Sequence, residues 1–274
     1  MTRVLIIGGS GFLGRALYKE LHPYMDVYAT YCHQEKYNAN KRYFSYDIEE
    51  DSPEEILRAV KPNLILSALR GNSEAQFVAH DIIINYAIQK KVKVILLSSA
   101  NVFDSFRHYP SYEHDKTLSD SSYGKLKIAL ENKIMRMPAF SWTIARMPMV
   151  FGAASPRLQE VKEAIITQQP YEIFPNSVIN VTSDYFVTQQ LHYIINRNRW
   201  GIFHLGSNDL IHHDEFIQQL VAGLQLQQKP IYKHVFASNT DRYIAVIPKY
   251  NNLPKHLNHT VAEVLEDTLK TTIS

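Results

Sequence analysis

A length of 274 residues suits one large α/β domain, or a domain with a small second lobe. The 29 Lys+Arg nearly balance the 27 Asp+Glu, for a net charge of +2, which excludes the basic stripe of a nucleic-acid binder and the field of a membrane-surface protein. The single cysteine, Cys32, excludes an internal disulfide and fits a reducing compartment.

At the N-terminus Val4-Leu5-Ile6-Ile7 is a short apolar run suited to a buried parallel strand. It lacks the basic start and small-residue cleavage site of a signal peptide, and no later run reaches the roughly 18–20 apolar residues of a membrane span. A cytoplasmic chain with no membrane partner and no nucleic-acid partner is expected. The strand enters Gly8-Gly9-Ser10-Gly11-Phe12-Leu13-Gly14, after which Leu13, Ala16, Leu17 and Leu21 recur at helical spacing until Pro23. Glycines at a strand-to-helix turn let the backbone approach a pyrophosphate, whose charge then meets the helix N-terminus. Two registers fit, Gly9-x-Gly11-x-x-Gly14 and Gly8-x-x-Gly11-x-x-Gly14.

A second strand is expected over 27–31. An NAD site usually places a carboxylate at its end for the ribose 2′-hydroxyl. Ala29-Thr30-Tyr31-Cys32-His33 offers none, and Lys36, Lys41 and Arg42 follow, which favours NADP(H) over NAD(H). A third strand over 42–46 ends in Asp47-Ile48. Ser52 with Glu55 reads as a capping box, with Pro53 in the first helical position. Ser73 with Gln76 reads as a second box, opening a helix through Ile83 and Tyr86 to Lys90. The strand before that helix, 63–67, runs into Ala68-Leu69-Arg70-Gly71; the strand after it, 92–97, ends in Ser98-Ser99. Strand and helix alternate throughout, the pattern of an α/β doubly wound parallel sheet (the Rossmann arrangement), which binds ligands outside its strands' carboxyl ends.

A polar loop over 105–119 leads to Ser121-Ser122-Tyr123-Gly124-Lys125-Leu126-Lys127. Four residues apart on a helix, Tyr123 and Lys127 share one face. An ammonium beside a phenol favours phenolate, drawing the tyrosine pKa down from about 10. Such a tyrosine can hand a proton to a carbonyl oxygen or take one from an alcohol, with Ser99 as a second hydrogen-bond donor to that oxygen. An exposed helix with a snorkelling lysine has the same spacing, so the context of the preceding strands decides between them. A sixth strand is expected to begin over 139–146 and run to Val150-Phe151-Gly152. Beyond it the alternation lapses into a smaller mixed lobe, with helices over 184–196, 213–224 and 260–269 and a strand over 201–205. Residues 1–152 read as the dinucleotide-binding domain and 153–274 as mainly a substrate-binding lobe, with about 178–206 returning to the first. His212-His213 lack ligand spacing, and no metal is expected. His204 reads as a satisfied core histidine, and Asp104 and Glu113 as solvated loop carboxylates in preference to an acidic edge of the substrate pocket.

With these residues in view, the chain resembles the extended short-chain dehydrogenase/reductases, and is most similar to their dTDP-4-dehydrorhamnose reductase-like nucleotide-sugar reductases. The likeness rests on the glycine turn, Asp47-Ile48, Ser98-Ser99-Ala100-Asn101-Val102-Phe103-Asp104 and Tyr123-Gly124-Lys125-Leu126-Lys127. It continues through Arg146-Met147-Pro148-Met149-Val150-Phe151-Gly152, Gly201-Ile202-Phe203-His204-Leu205 and Pro248-Lys249-Tyr250-Asn251-Asn252-Leu253. It implies NADP(H)-dependent reduction of a keto group on a nucleotide-linked deoxysugar, with Tyr123 as general acid. Lys127 would lower its pKa and hold the nicotinamide ribose, while Ser99 polarises the carbonyl. Gly8, Gly11, Phe12 and Leu13 would line the pyrophosphate, Asp47 and Ile48 the adenine, and Ala68, Leu69 and Arg70 the cofactor's middle. Ser10 and Tyr31 would be further cofactor contacts, and Ala100, Asn101 and Met149 would face the substrate. Ala100 and Asn101 stand where those reductases read Asp-Tyr, Ala79 where extended members often carry Asn, and Ile247 where they carry Arg. The sugar therefore stays open. So do an epimerase or dehydratase on the same scaffold, a non-catalytic NADP-binding regulatory subunit, and a homodimer.

Overall fold

Val4, Leu5, Ile6 and Ile7 are fully buried, as a parallel strand covered on both faces must be. The computed structural model describes residues 1–105, 108–236 and 238–273, so residues 106 and 107 of the expected polar loop lie outside the described residues. In chain order the elements are β1 (Arg3–Ile7), α1 (Phe12–Leu21), β2 (Asp26–Tyr31), β3 (Tyr43–Ser45), α2 (Glu54–Val60), β4 (Leu64–Ser67), α3 (Ser73–Lys90) and β5 (Lys93–Ser99). Then come α4 (Ser122–Ile134), β6 (Trp142–Met147), β7 (Met149–Phe151), α5 (Pro156–Ile166), β8 (Tyr171–Ile173), β9 (Ser177–Ile179), β10 (Val181–Ser183) and α6 (Asp184–Asn196). The last are β11 (Gly201–His204), β12 (Ile211–His212), α7 (His213–Leu224), β13 (Tyr232–His234), β14 (Arg242–Ile244) and α8 (Val261–Ile273).

Seven strands form one sheet in the order β3-β2-β1-β4-β5-β6-β11. β1 pairs in parallel with β2 on one side and β4 on the other, with Ile6 opposite both Ala29 and Leu66. The chain order reverses at that point, so the carboxyl ends of β1 and β4 open a crevice of the kind that holds ligands in doubly wound sheets. Rossmann topology follows directly.

The chain divides into two compact units with interleaved segments. The first comprises Met1–Ser98, Lys125–Ala145 and Leu191–Phe203, and its core includes Leu5, Ile65, Ile83, Leu96 and Leu130. The second comprises Ser99–Gly124, Arg146–Gln190 and His204–Ser274. Its core gathers Phe151, Leu158, Ile179, Val181, Phe216 and Val264. Three small sheets belong to it: β10-β7, β13-β8 and the mixed β12-β9-β14, in which β12 is antiparallel and β14 parallel to β9.

Four local expectations change. The expected sixth strand is two: β6 joins the large sheet, and β7 pairs with β10, Met149 opposite Val181. Pro148 between them has no N–H to extend a ladder. α5 occupies the stretch where alternation lapses, with Ser155 Oγ accepting from Leu158 N at 3.2 Å and Pro156 in the first turn. Ser52 forms no box with Glu55; its Oγ accepts from Glu54 N, and α2 begins at Glu54. The cap of α3 is Asn72, whose Oδ1 accepts from Glu74 N and Ala75 N at 2.9 and 3.1 Å, while Gln76 Nε2 donates to Gly71 O. Asn72→Ala should therefore lower stability by about 1 kcal/mol, and Ser73→Ala by a few tenths, in urea denaturation. A larger loss from Ser73→Ala would restore the capping box.

Candidate active site

In the first unit the turn between β1 and α1 is tight because three of its glycines admit no side chain. Gly8 has φ +89°, and a Cβ there would lie 2.7 Å from Ala68 O; a Cβ on Gly14 would lie 2.2 Å from Gly8 O. Gly9 is closed off by Ala29, whose Cβ would be 2.4 Å from its own. The turn is held by Gly11 N donating to Gly8 O and Ser10 N to Thr30 O. Gly11 caps α1 without a side chain, so Phe12 and Leu13 begin a helix whose first N–H groups are free of a capping oxygen. A dinucleotide pyrophosphate fits such a backbone cradle, drawn by the helix dipole. Ala68, Leu69 and Arg70 follow β4 beside it, Ala68 N donating to Ile7 O. The structure thus brings these residues together.

At the ends of β2 and β3, Tyr31 OH donates to Asn38 Oδ1 and Asp47 Oδ2 accepts from Cys32 Sγ. Ile48 follows, partly buried against the first unit's core. Burial, then Asp47, pushes the Cys32 thiol pKa up, so it stays a donor. Cys32, His33 and Asp47 bring three ligating atoms within 4.8 Å of one another, with the His33 ring 3.2 Å from Cys32 Sγ. Arg42 differs from the cofactor-facing cation expected of it. Its guanidinium pairs with Asp26, at the start of β2, and lies 4.6 Å over the Tyr28 ring. That is the amino end of the strands, opposite to where ligands bind.

Lys127 is only 4% exposed, and its Nζ donates to Leu97 O at 3.2 Å. Burial pushes its pKa down to about 8; Arg70's positive charge adds to that fall and Glu131 opposes it. One turn further along α4, Glu131 accepts a hydrogen bond from Ser98 Oγ. On α3, beside Ala79, His80 is wholly buried. Its Nδ1 faces Gln76 O at 2.6 Å and must carry the proton, leaving Nε2 to accept from Ser67 Oγ at 2.9 Å. Burial drives its pKa to about 4, so it is neutral.

In the second unit Ser99 ends β5, and its Oγ donates to Asn101 Oδ1 at 3.0 Å while accepting from Asn101 N. Residues Ala100–Phe103 make one 3₁₀ turn. Gly124 lets the start of α4 press against that turn: a Cβ there would lie 2.3 Å from Asn101 O and 2.0 Å from Ser119 Oγ. Tyr123 and Ser99 therefore belong to adjoining turns, and Tyr123 keeps 42% exposure. Asp104, expected in solvent, is buried, and its carboxylate accepts from Ser119 Oγ, Ser121 Oγ and Asp120 N. It ties the approach to α4 onto the 3₁₀ turn. Glu113, also expected in solvent, is buried, and accepts from the backbone N–H groups of Lys249, Tyr250 and Asn251. Burial alone would raise its pKa; those N–H groups and His204 outweigh it and hold the carboxyl below its usual value. His204 is buried, with Nδ1 toward Ile247 O. Its Nε2 has no partner among the described residues, so the expected satisfaction is half met. Burial, then Arg146, lowers its pKa to about 3. Met149 lies on β7, half-buried against the second core. Sequence reasoning missed Glu131 and the packing role of Gly124 as site-shaping features; an i,i+4 Lys–Glu spacing and a Tyr-Gly step were their only signals.

Among the described residues no helix is long and apolar enough to cross a membrane. The family model described as RmlD substrate binding domain matches residues 1–256. No curated protein sequence matches the chain. Among solved structures, dTDP-4-dehydrorhamnose reductase from Yersinia enterocolitica superposes with a TM-score of 0.75 at 17% identity, over 99% of this chain and 100% of that one. The Bacillus anthracis dTDP-4-dehydrorhamnose reductase in complex with NADP gives 0.78 at 15%, over 98% and 99%. Thermus thermophilus UDP-glucose 4-epimerase in complex with NAD gives 0.76 at 16%, over 99% and 97%. At these identities the likeness is one of fold.

Proposed function

The chain belongs to the RmlD substrate binding domain family, and from that premise we propose that it reduces a keto group on a nucleotide-linked deoxysugar with a nicotinamide dinucleotide. The observation that carries this reading is Gly124, which lets Tyr123 and the turn led by Ser99 adjoin. Bound in the glycine cradle, the dinucleotide supplies the hydride. Gly8, Ser10, Gly11, Phe12 and Leu13 hold its pyrophosphate on the N-terminus of α1. Ala68, Leu69 and Arg70 line its middle, and Tyr31, Asp47 and Ile48 its adenosine end. Ser99 Oγ and Tyr123 OH donate to the carbonyl oxygen of the sugar, and Tyr123 passes its proton to that oxygen as the alcohol forms. Lys127, one turn along α4, favours the tyrosinate left behind and binds ribose hydroxyls. Ala100, Asn101 and Met149 contact the sugar. In this reading residues 1–152 serve the dinucleotide and 153–274 mainly the substrate, with about 178–206 returning to the first.

NADP(H) is the preferred cofactor in this reading, supported by the lack of a carboxylate in Tyr31-Cys32-His33 and by Lys36 nearby. The test follows nicotinamide absorbance with dTDP-linked 4-keto-6-deoxyhexoses, alongside NADPH and NADH titrations. Stoichiometric loss of NADPH, and tighter binding of NADPH than NADH, are expected. Sugar interconversion without net consumption would make the protein an epimerase instead, and no affinity for either dinucleotide would end the reading.

A further inference from the structure

We propose that Glu131 is the positioning residue that keeps Lys127 charged and aims its ammonium at the end of β5. This rests on the reading of Lys127 given above. Both side chains leave the same face of α4 one turn apart, and both are buried, at 1% and 4% exposure. They grip successive residues of β5. Lys127 Nζ donates to Leu97 O, and Glu131 Oε1 accepts from Ser98 Oγ, next to Ser99. The strand end that presents Ser99 is thus braced by two groups of opposite charge from a single helix.

The surroundings show why the carboxylate matters. From the end of β4, Arg70 places a like charge near Lys127. From α3, His80 is neutral and spends both ring nitrogens on Gln76 and Ser67. From β5, Leu97 and Ser98 offer only neutral oxygens, a carbonyl and a hydroxyl. On α4 itself Glu131 is the anion. Burial and Arg70 drive Lys127 toward its neutral form, and Glu131 opposes them, leaving the group near pH 8. Without that carboxylate the folded pKa falls further, so the ammonium is lost at a lower pH. An ammonium that is to steady a tyrosinate and hold ribose hydroxyls must survive at neutral pH.

Glu131→Gln removes the charge and keeps an oxygen for Ser98. The Lys127 titration can be read without any cofactor or substrate, from the ¹³Cε resonance of lysine-labelled protein, assigned by its loss in Lys127→Met. The midpoint is expected to fall by about one pH unit or more in Glu131→Gln, and Glu131→Asp should recover most of the fall. The alkaline limb of kcat/KM, measured with NADPH and a dTDP-linked 4-keto-6-deoxyhexose, should move down by the same amount. A purely structural role would lower activity at all pH values alike. An unmoved midpoint overturns the proposal, and so does a moved midpoint with an unmoved alkaline limb. Full turnover in Lys127→Met would instead fell the catalytic reading of Lys127 and leave the titration result standing.

Discussion

Tyr123→Phe lowers turnover by roughly 10²–10⁴-fold, the usual share of a positioned general acid, while dinucleotide affinity stays near that of the parent. The substitution removes one hydroxyl from a ring that is 42% exposed, so it opens no cavity in a packed core and should not disturb folding. Asp104 and Gly124 hold the first turn of α4 in place through backbone and serine contacts that do not involve the phenol. A rate loss in this variant is therefore chemical in origin. Steady-state turnover and a fluorescence titration of NADPH, run on one preparation, separate the two quantities. Turnover within tenfold of the parent would remove Tyr123 from the proton path.

Gly14→Ala is expected to weaken dinucleotide binding by at least about tenfold and to destabilise the protein by about 1–3 kcal/mol, the range for a group forced into a filled space. The added Cβ meets Gly8 O at 2.2 Å, Gly9 Cα at 2.7 Å and Gly8 C at 2.9 Å. All three are backbone atoms, and none can rotate away. α1 must retreat, carrying its N-terminal N–H groups off the pyrophosphate. Gly11→Ala is the control: its φ is −70°, and its Cβ would meet only Gly8 O at 3.3 Å. Urea denaturation of both variants tests the contrast in stability, NADPH titration of Gly14→Ala tests the loss of binding, and equal destabilisation of the two variants would contradict the packing account.

The two glycine registers that the spacing allows are separable only by such distances. Gly8 needs its positive φ and Gly14 its missing Cβ, whereas Gly9 is excluded from bearing a side chain by Ala29 on the neighbouring strand. That contact joins residues twenty positions apart, so no reading of the turn by itself could find it. Arg42 teaches the same lesson from the other side. Its charge and its place after β2 suggested a phosphate ligand, but the parallel register with β2 carries it to Asp26, at the wrong end of the sheet.

What the amino-acid order determined by itself was whatever depends on neighbours along the chain. This covers the apolar run before the glycines, the alternation of strand and helix, the helices at 184–196 and 213–224, and the one-turn spacing of Tyr123 and Lys127. Periodicity and turn chemistry are local, so they are legible in one dimension. Tertiary structure alone decided which charges lie inside. The spacing of Tyr123 and Lys127 fits an exposed helix with a snorkelling lysine as well as a site until β5 closes over Lys127 and Glu131, and Asp104 and Glu113 read as loop carboxylates until serine hydroxyls and backbone N–H groups converge on them. The electrostatic cost of a buried charge, and the partners that offset it, are set by elements distant in sequence that meet only in the fold.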